Sequence, residues 1–289
     1  MSFSSEIRKT LSVAEFECDS CKFAELAGVI SFAGEYNTDR LRIVTEKDFT
    51  AKRILNDIFL CTNMNLKQVG TRSIRIETEE KELLSCLKTR LNLSEEHFLD
   101  KFPNDCCRRA FLRGAFLGGG CVANPNKNYH LEFDTKYRIG ADRLYRILES
   151  LAISSKITYR KGHYIVYLKG SDSIADVLGR MGAGMGAIEL YNVQMQKDIR
   201  NTINRQINCE TANQERVTIA ASKHRAAIKK IRASGKMEKL PDVLLEIAEL
   251  REKYPEMSLK DLGAMLNPPI GKSGVNHRLN RLIEYANQI

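Results

Sequence analysis

Lys22-Phe-Ala-Glu-Leu-Ala-Gly-Val-Ile-Ser-Phe-Ala-Gly-Glu35 and Arg108-Arg-Ala-Phe-Leu-Arg-Gly-Ala-Phe-Leu-Gly-Gly-Gly-Cys121 are the two stretches that decide how this chain folds. Each reads as a short apolar helix with a glycine inside it, Gly28 or Gly114, and a glycine at its end, Gly34 or Gly120. A glycine inside a helix costs about 1 kcal/mol relative to alanine. Its use at the same place in both copies points to two helices whose backbones approach with no side chain between them. Gly28 and Gly114 are therefore expected at a helix-pair interface.

The stretches that follow are repeated too. Leu41–Thr45 and Leu131–Thr135 read as strands, and Asp48–Phe59 and Gly140–Leu151 as helices. Ser73–Thr78 and Tyr164–Leu168 alternate at period two, as half-buried strands do. Glu80–Leu91 and Ser173–Met181 read as closing helices. The pattern predicts an α+β class with an αββαββα order in each copy, the copies covering 1–105 and 106–206.

After Leu190 the pattern turns helical. Val193–Gln206 is amphipathic, Asn208-Cys-Glu-Thr-Ala-Asn213 is polar and expected to break the helix, and Val217–Ala233 is a basic helix closed by Ser234-Gly235. Residues 207–239 are thus expected to form a basic helical connector, and 240–289 a separate all-α helix-turn-helix domain. Leu240-Pro-Asp-Val243 opens its first helix, with an apolar stripe of Leu244, Ile247, Ala248 and Leu250/Arg251. Ser258-Leu-Lys-Asp261 resembles a capping box, and Leu259, Leu262, Met265 and Leu266 form the face of a short second helix. The turn spans Asn267–Lys272, and Ser273 is the expected N-cap of the last helix. There Val275, Leu279, Leu282, Ile283 and Ala286 share one face.

The other side of that helix presents Ser273, Gly274, His277 and Arg281, flanked by Asn276, Arg278 and Asn280. In a helix-turn-helix the start of the second helix enters the major groove, where Arg and Asn can read guanine and adenine edges. Base readout is expected from Ser273–Arg281. Phosphate anchoring is expected from Lys272, Arg278 and the basic block at 216–239, with Lys229 and Lys230 at its centre. A helical hairpin that binds protein is the alternative reading.

The chain of 289 residues carries 45 Lys+Arg against 36 Asp+Glu, a net charge of +9. Residues 216–239 alone net +7, whereas 240–289 net −1. Such a local block reads as a nucleic-acid contact or as a solvated helix face. The composition excludes global disorder. No uncharged apolar run approaches the ~18 residues of a membrane helix, and the opening residues lack the apolar segment of a signal peptide, so a cytoplasmic location is expected.

The eight cysteines are expected to be reduced thiols. Cys18-x-x-Cys21 could be half of a zinc site, but four ligands are needed. No second CxxC exists, and His97, His130, His163, His224 and His277 are scattered. Cys106-Cys107 could assist only if the fold brings them near. No metal or cofactor is assigned. Gly182-Ala-Gly184-Met-Gly186 follows a helix instead of a strand, so it reads as a loop or C-cap, not a nucleotide site.

Phe111-Leu-Arg-Gly-Ala-Phe-Leu-Gly-Gly-Gly120, Tyr129-His-Leu-Glu132, Asn208–Asn213 and Pro268-Pro-Ile-Gly-Lys-Ser-Gly-Val-Asn-His-Arg278 occur in an order that resembles the bacterial WhiA family over essentially the whole chain. The resemblance implies an N-terminal domain similar to LAGLIDADG homing endonucleases, followed by the helix-turn-helix. It also implies double-stranded DNA as partner, nucleoid association, and roles in transcription regulation, sporulation, cell division and chromosome segregation, with contacts to division or transcription proteins. The endonuclease motif carries its metal-binding acid at the eighth of nine positions. In Leu26–Gly34 that position is Ala33, and in Leu112–Gly120 it is Gly119. Neither residue ligates a metal, so no catalytic residue is assigned and no small-molecule substrate is expected. In such nucleases the sheets form a saddle over DNA. Lys136, Arg138, Arg143, Arg146, Arg160, Lys161 and Lys169 are candidates to line one here, for DNA or for a protein.

Overall fold

The computed structural model describes residues 2–37, 39–71, 73–91, 100–102 and 104–289. It divides into two units, Met1–Lys197 and Asp198–Ile289. The first unit opens with α1 (Phe3–Leu11), a helix with no counterpart in the sequence reading. The first copy follows as α2 (Cys21–Ala33), β1 (Gly34–Tyr36), β2 (Leu41–Thr45), α3 (Asp48–Thr62), β3 (Gln68–Val69), β4 (Ile74–Thr78) and α4 (Lys81–Leu91). The second is α5 (Asp105–Gly119), β5 (Gly120–Val122), β6 (His130–Thr135), α6 (Arg138–Ser150), β7 (Lys156–Arg160), β8 (His163–Lys169) and α7 (Ser171–Met181). The expected αββαββα order therefore holds in both copies. Each forms a four-stranded antiparallel sheet, ordered β1-β2-β4-β3 and β5-β6-β8-β7. The registers correspond as well: Gly34 faces Ile43 as Gly120 faces Phe133.

α2 and α5 pack at the centre of this unit. A Cβ placed on Gly28 would overlap the Phe111 carbonyl oxygen and lie 2.7 Å from the Ala115 nitrogen; one on Gly114 would overlap the Glu25 carbonyl oxygen. Two backbones in contact leave no volume for a methyl group. The pair is covered by Leu26, Val29, Phe111, Leu112 and Phe116, with Ile43, Ile76, Phe133 and Val166 beneath them from the sheets.

A buried charge cluster fixes the same contact. Glu25 is fully buried on α2. Its carboxylate accepts from Arg53 Nε of α3 at 2.8 Å and from Arg113 Nε of α5 at 2.5 Å. Arg53 also lies 3.3 Å from Asp57. Burial, followed by the charge of Glu25, raises the Asp57 carboxyl well above its ordinary range. Removing one partner of such a group strands a charge in the core, at a cost of about 3–5 kcal/mol.

α8 spans Gly184–Ala233 as one helix of 50 residues. The break expected at Asn208–Asn213 does not occur, and Val193–Gln206 and Val217–Ala233 belong to a single element. That polar segment contains neither Gly nor Pro, and residues such as Asn and Thr cost only about 0.5 kcal/mol each in a helix. A Gln206–Glu210 side-chain hydrogen bond of 3.1 Å supports it locally. Gly182 caps α7 in the left-handed conformation at φ 100°, as a C-cap and not as a nucleotide loop. Among the described residues no helix is long and apolar enough to cross a membrane.

Gly114→Ala is expected to destabilise the protein by about 1–3 kcal/mol, the usual cost of overpacking, and Gly114→Val to abolish soluble expression. Urea denaturation of the alanine variant checks this; an unchanged midpoint would count against the close approach.

Candidate nucleic-acid interface

The second unit is built on the C-terminal part of α8. Ala227, Ile228 and Ile231 enter one core with Leu240, Leu244, Ile247, Leu262, Val275, Leu279 and Leu282. Its further helices are α9 (Asp242–Lys253), α10 (Leu259–Ala264) and α11 (Lys272–Asn287). The end of the expected connector is therefore part of the helix-turn-helix core, because its apolar face at 227, 228 and 231 has no other cover.

Ser258 caps α10 as expected, its Oγ accepting from the Asp261 N–H at 3.2 Å and donating to Asp261 Oδ2 at 2.7 Å. The turn after α10 is closed by the Ile270 N–H donating to the Gly263 carbonyl at 3.0 Å. Two readings change. Met265 is 44% exposed instead of buried, since α10 ends at Ala264 and the stripe stops with it. α11 begins two residues early, with Gly271 as its N-cap, so Ser273 lies inside the first turn. No side chain caps this end, which leaves the first N–H groups of the helix for an outside acceptor.

Of the two stripe positions that periodicity left open, Leu250 and Arg251, it is Arg251 that the structure buries. It sits on the apolar stripe of α9, 2% exposed, and Nη1 donates to the carbonyls of Pro255 at 3.2 Å and Met257 at 2.8 Å. The guanidinium thereby holds the loop between α9 and α10. His224 of α8 is buried beside it. Burial first, and the Arg251 charge second, lower the imidazole to about 4.

On α11, Ser273, Asn276, His277, Asn280 and Arg281 are exposed along one stripe at spacings of three and four, with Lys272 beside them and Gly274 and Arg278 half-buried at its edge. Val275, Leu279, Leu282 and Ala286 are buried on the opposite side. Among the described residues, Lys272, Arg278 and Arg281 pair with no acid. In the basic block, Lys229 and Lys230 are exposed and unpaired, whereas Arg232 is neutralised by Glu252 at 2.5 Å.

At the C-terminal ends of α2 and α5, where the endonuclease motif holds its acids, lies a cavity of about 340 Å³ lined by Ala33, Glu35, Arg42, Gly119, Asp134, Lys136 and His163. A Cβ on Gly119 would overlap the Asp134 carbonyl oxygen, so the backbone itself fills the place of that carboxylate. The acids present are engaged: Glu35 lies 3.5 Å from Lys136 and 3.8 Å from Arg42, and Asp134 is paired with His163.

The open sheet faces carry paired side chains as well, with Arg40 ion-paired to Glu77 at 2.9 Å and His130 hydrogen-bonded to Glu132 at 3.2 Å. Of the saddle candidates, Arg160 and Lys169 are exposed on strands and Lys161 in their hairpin turn. Lys136 and Arg138 are exposed where β6 passes into α6, and Arg138 pairs with Asp142 at 3.4 Å. Arg143 is buried in α6, and Arg146 is exposed on that same helix, which packs against the inner side of the sheet. Neither of these two lines the open face. His97 lies outside the described residues.

The family profile of the WhiA C-terminal helix-turn-helix domain matches residues 203–286, and that of the WhiA LAGLIDADG-like domain matches 108–200. The chain belongs to the WhiA family. It is 36% identical over 311 residues to a probable cell division protein WhiA of Alkaliphilus metalliredigens, covering 100% of this chain and 98% of the relative. It is 38% identical over 303 residues to one of Clostridium botulinum, covering 98% and 94%. The crystal structure of full-length WhiA from Thermatoga maritima has the same fold, with a TM-score of 0.63 at 24% identity, covering 100% of this chain and 99% of that one.

His224 gives the C-terminal unit an acid limit. Its folded pKa is depressed below the ordinary value of 6.5, so its neutral form contributes fully above 6.5 and stability is lost as pH falls toward 4. The loss is about 3 kcal/mol over that window. Denaturation midpoints of the full chain measured from pH 7 to pH 4 should fall, and His224→Leu should flatten the decline. An identical decline in the variant would assign the effect to other groups.

Proposed function

We propose that this WhiA-family chain is a sequence-specific DNA-binding protein that does not cut DNA. The observation that carries this reading is the face of α11: amides, a hydroxyl, an imidazole and unpaired guanidinium groups on one exposed stripe, at the uncapped start of the second helix of a helix-turn-helix. Asn276, His277, Asn280 and Arg281, with Ser273 and the backbone at Gly274, are assigned to base edges. Lys272 and Arg278 are assigned to the phosphates on either side. Lys229 and Lys230 supply attraction that is independent of sequence.

The absence of cleavage follows from chemistry. In-line phosphodiester displacement of the endonuclease type needs Mg²⁺ held by carboxylates. Ala33 and Gly119 offer none, Glu35 lies beside Lys136 and Arg42, and Asp134 is hydrogen-bonded to His163. The chain is accordingly proposed to act in the cytoplasm at the nucleoid, in transcription regulation, cell division or chromosome segregation. A second reading, a division-associated factor whose first unit binds a protein, is favoured by the paired side chains of the open sheet faces. These offer directional polar contacts but little excess cation for a phosphate backbone.

Arg281→Ala should lower affinity for a specific site about 10–100-fold and leave random DNA almost unaffected. Lys229→Glu with Lys230→Glu should weaken both equally and flatten the salt dependence. Gel shifts on genomic fragments and random duplex, at several salt concentrations, read both outcomes. Equal losses on the two DNAs for Arg281→Ala would remove it from base readout. Supercoiled plasmid incubated with Mg²⁺ or Mn²⁺ should stay intact; nicking that persists through independent purifications would overturn the non-cleaving assignment. Capture of a division protein by residues 1–197, with gel shifts unaffected by every α11 variant, would favour the second reading.

A further inference from the structure

The fold gathers four thiols that the sequence keeps apart. Cys18 precedes α2 and Cys21 opens it; Cys106 and Cys107 lie in the first turn of α5. Cys18 Sγ is 3.5 Å from Cys21 Sγ, 3.6 Å from Cys107 Sγ and 3.6 Å from Cys106 Sγ. All four sulfurs lie within 4.8 Å of one another. These separations far exceed the ~2.05 Å of a disulfide, and all four residues are free cysteines. They match what a single small cation imposes: sulfurs about 2.3 Å from a tetrahedral zinc lie about 3.8 Å apart.

The duplication explains how the set arose in space. Cys21 and Cys107 stand at the same position of the two copies, each directly before its motif stretch and 86 residues apart. The close approach of α2 and α5 therefore brings them together, and Cys18 and Cys106 complete the group, two ligands from each copy. Cys21 and Cys107 are buried, and Cys18 and Cys106 are half-buried, so the cluster is enclosed yet reachable by an ion. Four thiolates around a divalent ion leave two negative charges. The N-terminal ends of α2 and α5, both at the cluster, present the partial positive charge that offsets them. Soft sulfur ligands in a tetrahedral set select zinc among the common divalent ions.

We infer that Cys18, Cys21, Cys106 and Cys107 form a structural zinc site that clips the two copies together at the N-terminal ends of their central helices. Each thiol gives up its proton on binding. With all four positions filled by protein, no place remains for water or substrate, so the site is structural. It is also remote from the cavity at Ala33 and Gly119, since the thirteen residues of α2 span about 18 Å.

The test is metal analysis of the full-length chain, purified without an affinity tag under anaerobic, reducing conditions. One zinc per chain is expected. Exchange for Co²⁺ should give the thiolate charge-transfer and ligand-field absorption of a tetrahedral four-sulfur site. Cys18→Ser should lose the zinc or shift the cobalt spectrum to a three-sulfur form, while Cys121→Ser and Cys209→Ser should retain both. To keep the test independent of whether Cys18→Ser folds, the wild type is also titrated with an organomercurial: zinc should be released in step with modification of four thiols, and the thermal midpoint should fall. Absence of zinc together with no cobalt spectrum after reconstitution would overturn the inference. So would a disulfide among the four in protein isolated with thiols blocked at lysis.

Discussion

The contact of two helix backbones at Gly28 and Gly114 is the constraint on which the first unit depends. It places Glu25 against α5, and that burial demands the two guanidinium partners Arg53 and Arg113. Hydrophobic packing alone would let two apolar helices slide. The absence of a Cβ at two points, together with a buried carboxylate held from both copies, allows one register. The sheets inherit this register, because β1 and β5 begin at the residues where α2 and α5 end.

That constraint also bears on chemistry at the two ends of the helix pair. At the C-terminal end, the backbone approach at Gly119 fills the space a motif carboxylate would need, and the nearby acids are paired. At the N-terminal end, the same approach brings equivalent cysteines within a few ångströms. At one end of the LAGLIDADG-like scaffold the motif's acid positions hold Ala33 and Gly119, while the other end gathers four thiols.

In the second unit the division of labour is electrostatic. The supporting helices carry the acids, and Arg251 is spent inside, holding a loop. Lys272 and Arg281 of α11 and Lys229 and Lys230 of α8 are among the cations left exposed and without an acidic partner. The net charge of −1 on 240–289 fits the proposed recognition by a few placed groups, with the proposed bulk attraction assigned to the preceding helix.

The sequence by itself determined the duplication, the αββαββα order of each copy, the helix-turn-helix and the loss of the motif acids, because each is written in local periodicity, glycine placement or the identity of one residue. It misjudged Asn208–Asn213, where weak propensities were overridden by the helix on either side, and it left open Leu250 or Arg251 on the stripe of α9, where the structure buries the guanidinium against carbonyls of the next loop. Only the tertiary structure decided which charges are paired, that residues 227–231 belong to the core of the helix-turn-helix, and that Cys18 and Cys21 meet Cys106 and Cys107. Those facts depend on contacts between residues far apart in the chain, and no spacing along a sequence encodes a distance across two packed helices.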